Sequence, residues 1–237
     1  MRLLLAEDEL ALTSGTYTIT AAGQGLSGKN SVRIADGTYQ ITAGKDAVHA
    51  ENTEDATKGF IYIAGGTFAA QADGDGISAS AYIQIDAGNF SITTGEGSAS
   101  VKTERMSDPR QQEQTETEDT DSTSQKGIKS GTALTINGGT VTIVSDGDCL
   151  DSNGALTIAG GTLHLTCNGN GNTALDCDGT YTTTGGSITT NDGSEENPNE
   201  MGGGGQGAPD KQNGQGGPNG GTPPSNGQTP QKDGETA

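Results

Sequence analysis

The sequence predicts an all-β fold, a right-handed parallel β-helix of six to seven rungs, for most of its 237 residues. Three observations lead to this fold class. A glycine-centred unit recurs about every 22 residues, apolar and polar residues alternate on both sides of that glycine, and no helical periodicity separates the units. Repetition at a fixed period of this length indicates a solenoid, in which each repeat packs on its neighbours.

The repeat is clearest where ALTINGGTVTI is followed by ALTIAGGTLHL, with the second glycine of each pair at Gly139 and Gly161. Along the chain this turn glycine recurs with steps of 22, 29, 22, 51, 22 and 25 residues. The turn glycines are Gly15, Gly37, Gly66, Gly88, Gly139, Gly161 and Gly186. The longer steps carry insertions, which map to surface loops in a solenoid.

Within each unit the apolar residues have the period of two that is typical of β-strands. Leu134 and Ile136 precede the turn at Gly139, and Val141 and Ile143 follow it. A third, shorter strand completes each unit and contributes one inward apolar residue: Leu26, Val48, Ile77, Ile128, Leu150 and Leu175. Three strands in 22 residues leave no room for helical crossovers, so the strands stack as rungs about 4.8 Å apart in a rod of roughly 30 Å.

The chain divides into a rod over residues 1–193 and a Gly/Pro/Gln/Asn-rich tail over residues 194–237, which we expect to be disordered. Two insertions interrupt the rod, a short acidic loop at 51–57 and a polar segment at about 102–125 that is also predicted to be disordered. No apolar run approaches about 18 residues, so we expect no membrane insertion. The N-terminal MRLLLA is too short for the apolar region of a signal peptide. We therefore expect an export signal upstream and an extracellular or cell-surface location.

The charge balance narrows the classes of partner. Twelve basic and 31 acidic residues give a formal net charge of −19. Nucleic acid is an improbable partner, since phosphate binding needs clustered lysine and arginine, whereas divalent cations fit an acidic protein. The three cysteines, Cys149, Cys167 and Cys177, permit at most one disulfide, and their simplest role is that of small apolar core residues.

Stacking of the repeats turns equivalent positions into columns that run along one corner of the rod. Two positions before the inward residue of the short strand lie Gln24, Asp46, Asp75, Lys126, Asp148 and Thr173. Directly after that residue, and facing outward, lie Ser27, His49, Ser78, Lys129, Asp151 and Asp176. Lys126 falls between Asp75 and Asp148, and Lys129 lies beside Asp151, so both lysines are expected to neutralise neighbouring carboxylates.

Two carboxylate pairs on successive rungs, Asp46 with Asp75 and Asp151 with Asp176, have no lysine between them. Two charges about 4.8 Å apart repel by roughly 1 kcal/mol in water and by roughly 3 to 4 kcal/mol at an effective dielectric constant of 20. A calcium ion, which takes six to eight oxygen ligands, would relieve this repulsion. The predicted calcium ligands are Asp46, Asp73, Asp75, Asp146, Asp148, Asp151 and Asp176. Hydrated side chains, or aspartates that serve only the turns, are the alternatives.

Signals for catalysis are weak, and we predict that the protein is not an enzyme. No Ser/His/Asp set is discernible in the sequence. A lyase on such a rod would need calcium and a basic residue that abstracts a proton from a uronic acid. Lys126 or Lys129, next to Asp148 and Asp151, could take that role, although both have the simpler role of ion-pair partners.

The units GKDAVHA…FIYIAGGTF, ADGDGISASAYIQIDAGNFSITTGEGSAS and KGIKSGTALTINGGTVTI resemble the bacterial carbohydrate-binding domain-containing proteins. The resemblance covers about Leu10 to Asp192. It implies an exported or surface-attached parallel β-helix, similar in fold to pectate lyases, that holds calcium in the rod. It also implies binding of polysaccharides such as polygalacturonate or cellulose, but it assigns no sugar-contacting residue.

Taken together, these observations predict a non-catalytic, calcium-stabilised polysaccharide-binding module. An acidic rod would need calcium bridges to hold polygalacturonate, which is itself anionic. The scarcity of exposed aromatic residues weakens the cellulose option, for which Tyr62, Tyr82 and Tyr181 are the only candidates. A structural or adhesive surface spacer is the first alternative function, and a calcium-dependent polysaccharide lyase is the second.

Overall fold

The computed structural model describes residues 4–95, 125–169, 171–196 and 198. The first three rungs are built from β1 (Leu4–Ala6), β2 (Glu9–Leu12), β3 (Thr16–Ala21), β4 (Leu26–Gly28), β5 (Ser31–Ile34), β6 (Thr38–Ala43), β7 (Val48–Ala50), β8 (Phe60–Ile63) and β9 (Thr67–Ala72). The next two contain β10 (Ile77–Ala79), β11 (Tyr82–Ile85), β12 (Asn89–Thr94), β13 (Ile128–Ser130), β14 (Ala133–Ile136) and β15 (Thr140–Ser145). The last two contain β16 (Leu150–Ser152), β17 (Ala155–Ile158), β18 (Thr162–Cys167), β19 (Leu175–Cys177), β20 (Tyr181–Thr183) and β21 (Ser187–Thr190).

Each rung gives one strand to each of three seven-stranded parallel sheets. Sheet A contains every third strand from β1 to β19, sheet B those from β2 to β20, and sheet C those from β3 to β21. The register keeps equivalent repeat positions opposite each other, as in the pairs of Ile128 with Leu150 and of Leu134 with Leu156. The predicted parallel β-helix is confirmed, and the described residues form seven rungs.

The core lies between the three sheets and is filled by inward columns. The predicted column of sheet A is buried at every position, from Leu26 to Leu175, with at most 1% of each side chain exposed. Burying a leucine or isoleucine side chain contributes about 1.5–3 kcal/mol, so these columns supply much of the driving force for folding. Sheet C adds an inner aromatic ladder, with ring centroids 4.6–5.1 Å apart, formed by Tyr17, Tyr39, Phe68 and Phe90.

The seven predicted turn glycines all have a positive φ, between 91° and 136°. Glycine reaches this region without the penalty that a Cβ atom imposes. At Gly139 a Cβ atom would also lie 2.5 Å from the carbonyl oxygen of Gly88 on the preceding rung. The recurrence of glycine therefore has a structural cause.

The short insertion forms an ordered turn around Asn52, which is 7% exposed. Its side-chain oxygen accepts hydrogen bonds from the backbone N–H groups of Glu54 and Asp55. Residues 102–124 of the long insertion, together with the predicted tail beyond residue 198, lie outside the described residues. The predicted domain boundary at residue 193 stays a prediction.

Side chains after β21 close the last rung by replacing the neighbour that a further rung would provide. Asp192 accepts the N–H of Ala174 at 2.7 Å, and the hydroxyl of Ser194 accepts the N–H of Leu175 at 2.9 Å. The three cysteines are buried and free of disulfides, as expected for core residues. The described residues include no helix long and apolar enough to cross a membrane.

Candidate functional site

The aspartates at the corner between sheets C and A hold successive rungs together. Three of them, Asp46, Asp75 and Asp148, each accept through Oδ1 the backbone N–H of the residue at the same repeat position on the next rung. Asp46 accepts from Asp75 at 2.8 Å, Asp75 from Lys126 at 2.8 Å, and Asp148 from Thr173 at 2.6 Å. All three carboxylates are at most 6% exposed. An unpaired buried N–H would destabilise the fold, so these side chains have a structural role.

The two lysines of this corner neutralise carboxylates, as the sequence predicts. Beyond the predicted neighbours, Lys126 also contacts Asp151 and Lys129 also contacts Asp75. The Nζ atom of Lys126 lies 3.2 Å from Asp148 Oδ2 and 2.5 Å from Asp151 Oδ2. Lys129 Nζ lies 3.9 Å from Asp75 Oδ2. Burial alone would lower the pKa of Lys126, but the hydrogen bond and charge of Asp151, with the charge of Asp148, raise it above the usual value.

Three of the seven predicted calcium ligands converge, because carboxylate oxygens of Asp148, Asp151 and Asp176 all lie within 4.8 Å of one another. Burial raises the pKa of Asp151, and Lys126 opposes that shift. Burial also raises the pKa of Asp176, assisted by the charges of Asp148 and Asp151. In the described part of the chain this is the one group of three acidic or metal-ligating side chains close enough to share an ion.

The remaining four predicted ligands, Asp46, Asp73, Asp75 and Asp146, stand outside that group. Asp46 divides its carboxylate between the N–H of Asp75 and the ring of His49, whose Nδ1 lies 2.7 Å from Asp46 Oδ2. Neither the seven-residue set nor the choice of calcium is tested by the structure, and both stay predictions.

A shallow polar groove follows the outer face of sheet A beside this corner. It is lined by His49, Glu51, Ser78, Lys129 and Asn153. The Nε2 atom of His49 lies 3.5 Å from Glu51 Oε2, so the imidazole bridges Asp46 and Glu51. The sequence places His49 in the outward column without a role. The three-residue spacing between Asp46 and His49, across the start of β7, could have indicated the contact between them.

The outer face of sheet B carries a different kind of surface. The rings of Phe60 and Tyr82 are stacked, with centroids 4.8 Å apart and planes 6° from parallel. Tyr82 is 38% exposed. The guanidinium carbon of Arg33 lies 4.9 Å from the centroid of Phe60, within the range of a cation–π interaction. Two aromatic rings and a cation thus lie on the outside of the rod.

A hydrogen-bonded polar cluster borders the aromatic pair on the same face. Asp86 Oδ2 accepts the hydroxyl of Tyr62 at 2.6 Å, and Oδ1 accepts the amides of Gln84 at 2.8 Å and Asn137 at 2.7 Å. These hydrogen bonds, that of Tyr62 first, lower the pKa of the Asp86 carboxyl. The hydrogen bond to Asp86 likewise raises the pKa of the Tyr62 phenol.

Of the three tyrosines nominated from the sequence, the structure brings Tyr62 and Tyr82 to one face. Tyr181 instead lies opposite Leu156 in the inward column and packs against the core. Sequence reasoning missed Phe60 and Arg33. Phe60 alternates with Ile61 and Ile63, and it lies one 22-residue period before Tyr82, so both its outward position and its alignment with Tyr82 could have been read from the sequence.

Comparison with protein families gives one match over most of the chain. The profile of a family described as carbohydrate-binding domain-containing protein matches residues 4–171. The chain belongs to this family. Comparison with curated proteins and with solved structures gave no significant match. The part of this carbohydrate-binding domain that matches contains β1 to β18, and so includes the carboxylate group up to Asp151 and the aromatic face of sheet B.

Proposed function

We propose that this carbohydrate-binding domain is a non-catalytic polysaccharide-binding module of an exported or surface-attached protein. The family match supports a carbohydrate ligand. The observation that carries the proposal further is the outward-facing Phe60–Tyr82 stack, in which Tyr82 is 38% exposed, because it places aromatic surface and hydrogen-bonding groups side by side on the outside of a rod. Binding sites commonly combine aromatic surface with a few well-placed polar groups.

The state of Lys126 supports a non-catalytic role. A general base must be neutral in order to accept a proton from a sugar carbon. The ammonium group of Lys126 is held between Asp148 and Asp151, and their charges raise its pKa. Lys126 therefore stays protonated at neutral pH, and its structural role explains its position without catalysis.

Calcium binding at Asp148, Asp151 and Asp176 is part of the proposal. Carboxylate oxygens are the ligands that calcium prefers, and three of them lie within 4.8 Å of one another. Lys126 already supplies one positive charge to this group, so calcium would compete with it for Asp148 and Asp151. When bound, the ion would supply the positive charge that the carboxylates of polygalacturonate need on this acidic rod.

The decisive experiment is a titration of the whole chain with polygalacturonate and with cellulose-derived oligosaccharides, in calcium and in EDTA. We expect saturable binding to polysaccharide without release of unsaturated products, which would absorb in the ultraviolet. We expect binding of polygalacturonate to require calcium. Absence of binding to every polysaccharide would contradict the proposal, and accumulation of unsaturated product would replace it with a lyase.

A further inference from the structure

We infer that the outer face of sheet B is a calcium-independent binding site for a neutral polysaccharide, with Phe60 and Tyr82 as its stacking platform. This inference rests on the proposed function, which it deepens by naming the site and the class of glycan. The site is separate from the carboxylate group at Asp148, Asp151 and Asp176. Polygalacturonate and a neutral glycan would then bind to different sides of the rod.

The distribution of aromatic residues supports a binding role for this face. The chain has five tyrosines, three phenylalanines and no tryptophan. The four rings of the inner ladder and Tyr181 pack toward the core, where they stabilise the fold. Phe60, Tyr62 and Tyr82 alone among the eight point outward, all from sheet B. Arg33 lies over the ring of Phe60 and Tyr82 stacks on it, so the aromatic face most open to the C–H groups of a sugar ring is the side of Tyr82 toward Ala133.

The shape of the face suits an extended chain. On the rungs beyond Tyr82, its column continues with the small side chains of Ala133 and Ala155. The neighbouring column runs through Arg33, Tyr62, Gln84, Thr135, Thr157 and Thr182. These six rungs at about 4.8 Å each extend over roughly 24 Å. The regular spacing offers donors and acceptors along the rod, beside a strip without bulky side chains.

The charges of the face favour a neutral ligand. Arg33 lies over the ring of Phe60, and the carboxylate of Asp86 receives three hydrogen bonds from its neighbours. These two opposite charges offset each other, whereas the exposed Glu9 lies two rungs from Phe60 in the same column and the chain as a whole has a net charge of −19. A polyanion would therefore gain little at this face and be repelled by the rest of the rod. One carboxylate is also far short of the six to eight oxygens that calcium takes.

The polar cluster around Asp86 explains how the face could orient a sugar chain. Tyr62, Gln84 and Asn137 converge on one carboxylate and hold one another in place. Each amide retains a second N–H and a carbonyl oxygen that can bond to sugar hydroxyls. Fixed groups lose less conformational entropy on binding than free ones, so this arrangement favours affinity for hydroxyl-rich ligands.

The test uses the full chain with cellohexaose, and with a galacturonate hexamer as the anionic comparison. The double variant Phe60→Ala/Tyr82→Ala removes the platform. The matched control is Leu5→Ala, which deletes an apolar side chain that is 63% exposed on sheet A. In EDTA we expect the double variant to bind cellohexaose at least about tenfold more weakly than the parent chain, and the control to match the parent. Binding of the galacturonate hexamer in calcium should be the same for all three chains.

The outcomes separate this inference from the proposed function. If the parent chain binds the galacturonate hexamer but not cellohexaose, or if the double variant binds cellohexaose like the parent, the inference is overturned and the proposed function stands. If the parent binds neither, the proposed function fails. Light scattering tests whether the face instead mediates self-association. If the parent chain is a dimer, the double variant is a monomer and cellohexaose binding is unchanged, the face would be assigned to contact with a second copy of the chain.

Discussion

The acidic corner and the outer face of sheet B contain similar polar groups but use them differently. At the corner, Asp46, Asp75 and Asp148 each accept a backbone N–H from the next rung and are almost completely buried. On sheet B, Asp86 accepts only side-chain donors, and Tyr82 is partly exposed. Polar side chains that satisfy the backbone serve the fold, whereas those that satisfy one another at the surface remain available to a ligand.

The largest effect that distinguishes the two regions is expected at Asp75. Replacement with alanine leaves the partly buried N–H of Lys126 without its acceptor and removes a partner of Lys129. We expect the free energy of unfolding to fall by about 3 kcal/mol. Chemical denaturation measures the change, with Asp75→Asn, which keeps a carbonyl acceptor, as the milder control. An Asp75→Ala variant as stable as the parent would show that this carboxylate does not hold the rungs together.

A somewhat smaller effect is expected for Lys126→Met, which removes the ammonium group shared by Asp148 and Asp151. In EDTA at pH 7 we expect a loss of about 2 kcal/mol, because two buried carboxylates lose their counter-charge. Calcium should restore part of the loss, since an ion that binds the folded state stabilises it. Thermal unfolding with and without calcium checks both points, and Lys126→Arg is the control that keeps the charge.

The pH dependence gives a second test of the same variant. Because the pKa of Lys126 is raised above its ordinary value of 10.5, its stabilising effect is complete below that pH. It is lost as the pH rises through the raised pKa. The parent should therefore show an alkaline loss of stability that Lys126→Met lacks. Parallel alkaline titrations of the two chains would argue against the ion pair.

A stabilising change is predicted at Asp176. Burial and the nearby charges of Asp148 and Asp151 raise its pKa above the ordinary value of 3.8, so ionisation destabilises the folded state. The penalty is absent below about pH 3.8 and grows as the pH rises through the raised pKa. In EDTA, Asp176→Asn should therefore be more stable than the parent by up to about 1 kcal/mol at pH 7, after allowance for partial exposure.

Calcium should reverse the advantage of Asp176→Asn, because the substitution removes one of three carboxylates that could hold the ion. Differential scanning calorimetry between pH 4 and pH 7, in EDTA and in calcium, measures both effects. A stability difference that is unchanged across this range would mean that Asp176 titrates as it does in an unfolded chain.

The smallest effect is expected for Tyr82→Ala, which should change the free energy of unfolding by no more than about 0.5 kcal/mol. The ring lies at the surface and packs mainly on Phe60. Tyr39→Ala is the matched control, because Tyr39 is 1% exposed and stacks between Tyr17 and Phe68. The control should lose about 3 kcal/mol or more in denaturant unfolding. Equal losses for the two variants would mean that the outer stack also belongs to the fold.

Repeat periodicity predicted the fold because each rung repeats the same backbone path. The turn glycines could be read from the sequence, as positions such as Gly139 and Gly161 share one steric requirement. The inward columns could be read for the same reason, since Ile128 and Leu150 occupy equivalent positions. The first strand at Leu4–Ala6 was missed, although Leu4 lies one 22-residue period before Leu26 and pairs with it.

The candidate sites were harder to predict than the fold. The columns of equivalent repeat positions placed Asp148, Asp151 and Asp176 at one corner of the rod. They did not show that the side chain of Lys126 extends to Asp151 on the next rung. Nor did they show that Oδ1 of Asp148 is occupied by a backbone N–H, since that depends on the path of the chain at the corner. Phe60 and Tyr82 are one 22-residue period apart, so their alignment could have been read from the sequence, but the stacking of their rings depends on side-chain rotamers that the period does not specify.

The pairing of β12 with β15 has a consequence for how such rods can change in length and content. Phe90 and Val141 face each other in the same register as Val141 and Leu163, although the first step between turn glycines is 51 residues and the second is 22. By chain entropy alone, the step of 51 residues costs only about 0.7 kcal/mol more to close than the step of 22. The paired strands β12 and β15 thus keep one register at little entropic cost, although the chain between them is much longer than in the neighbouring rung.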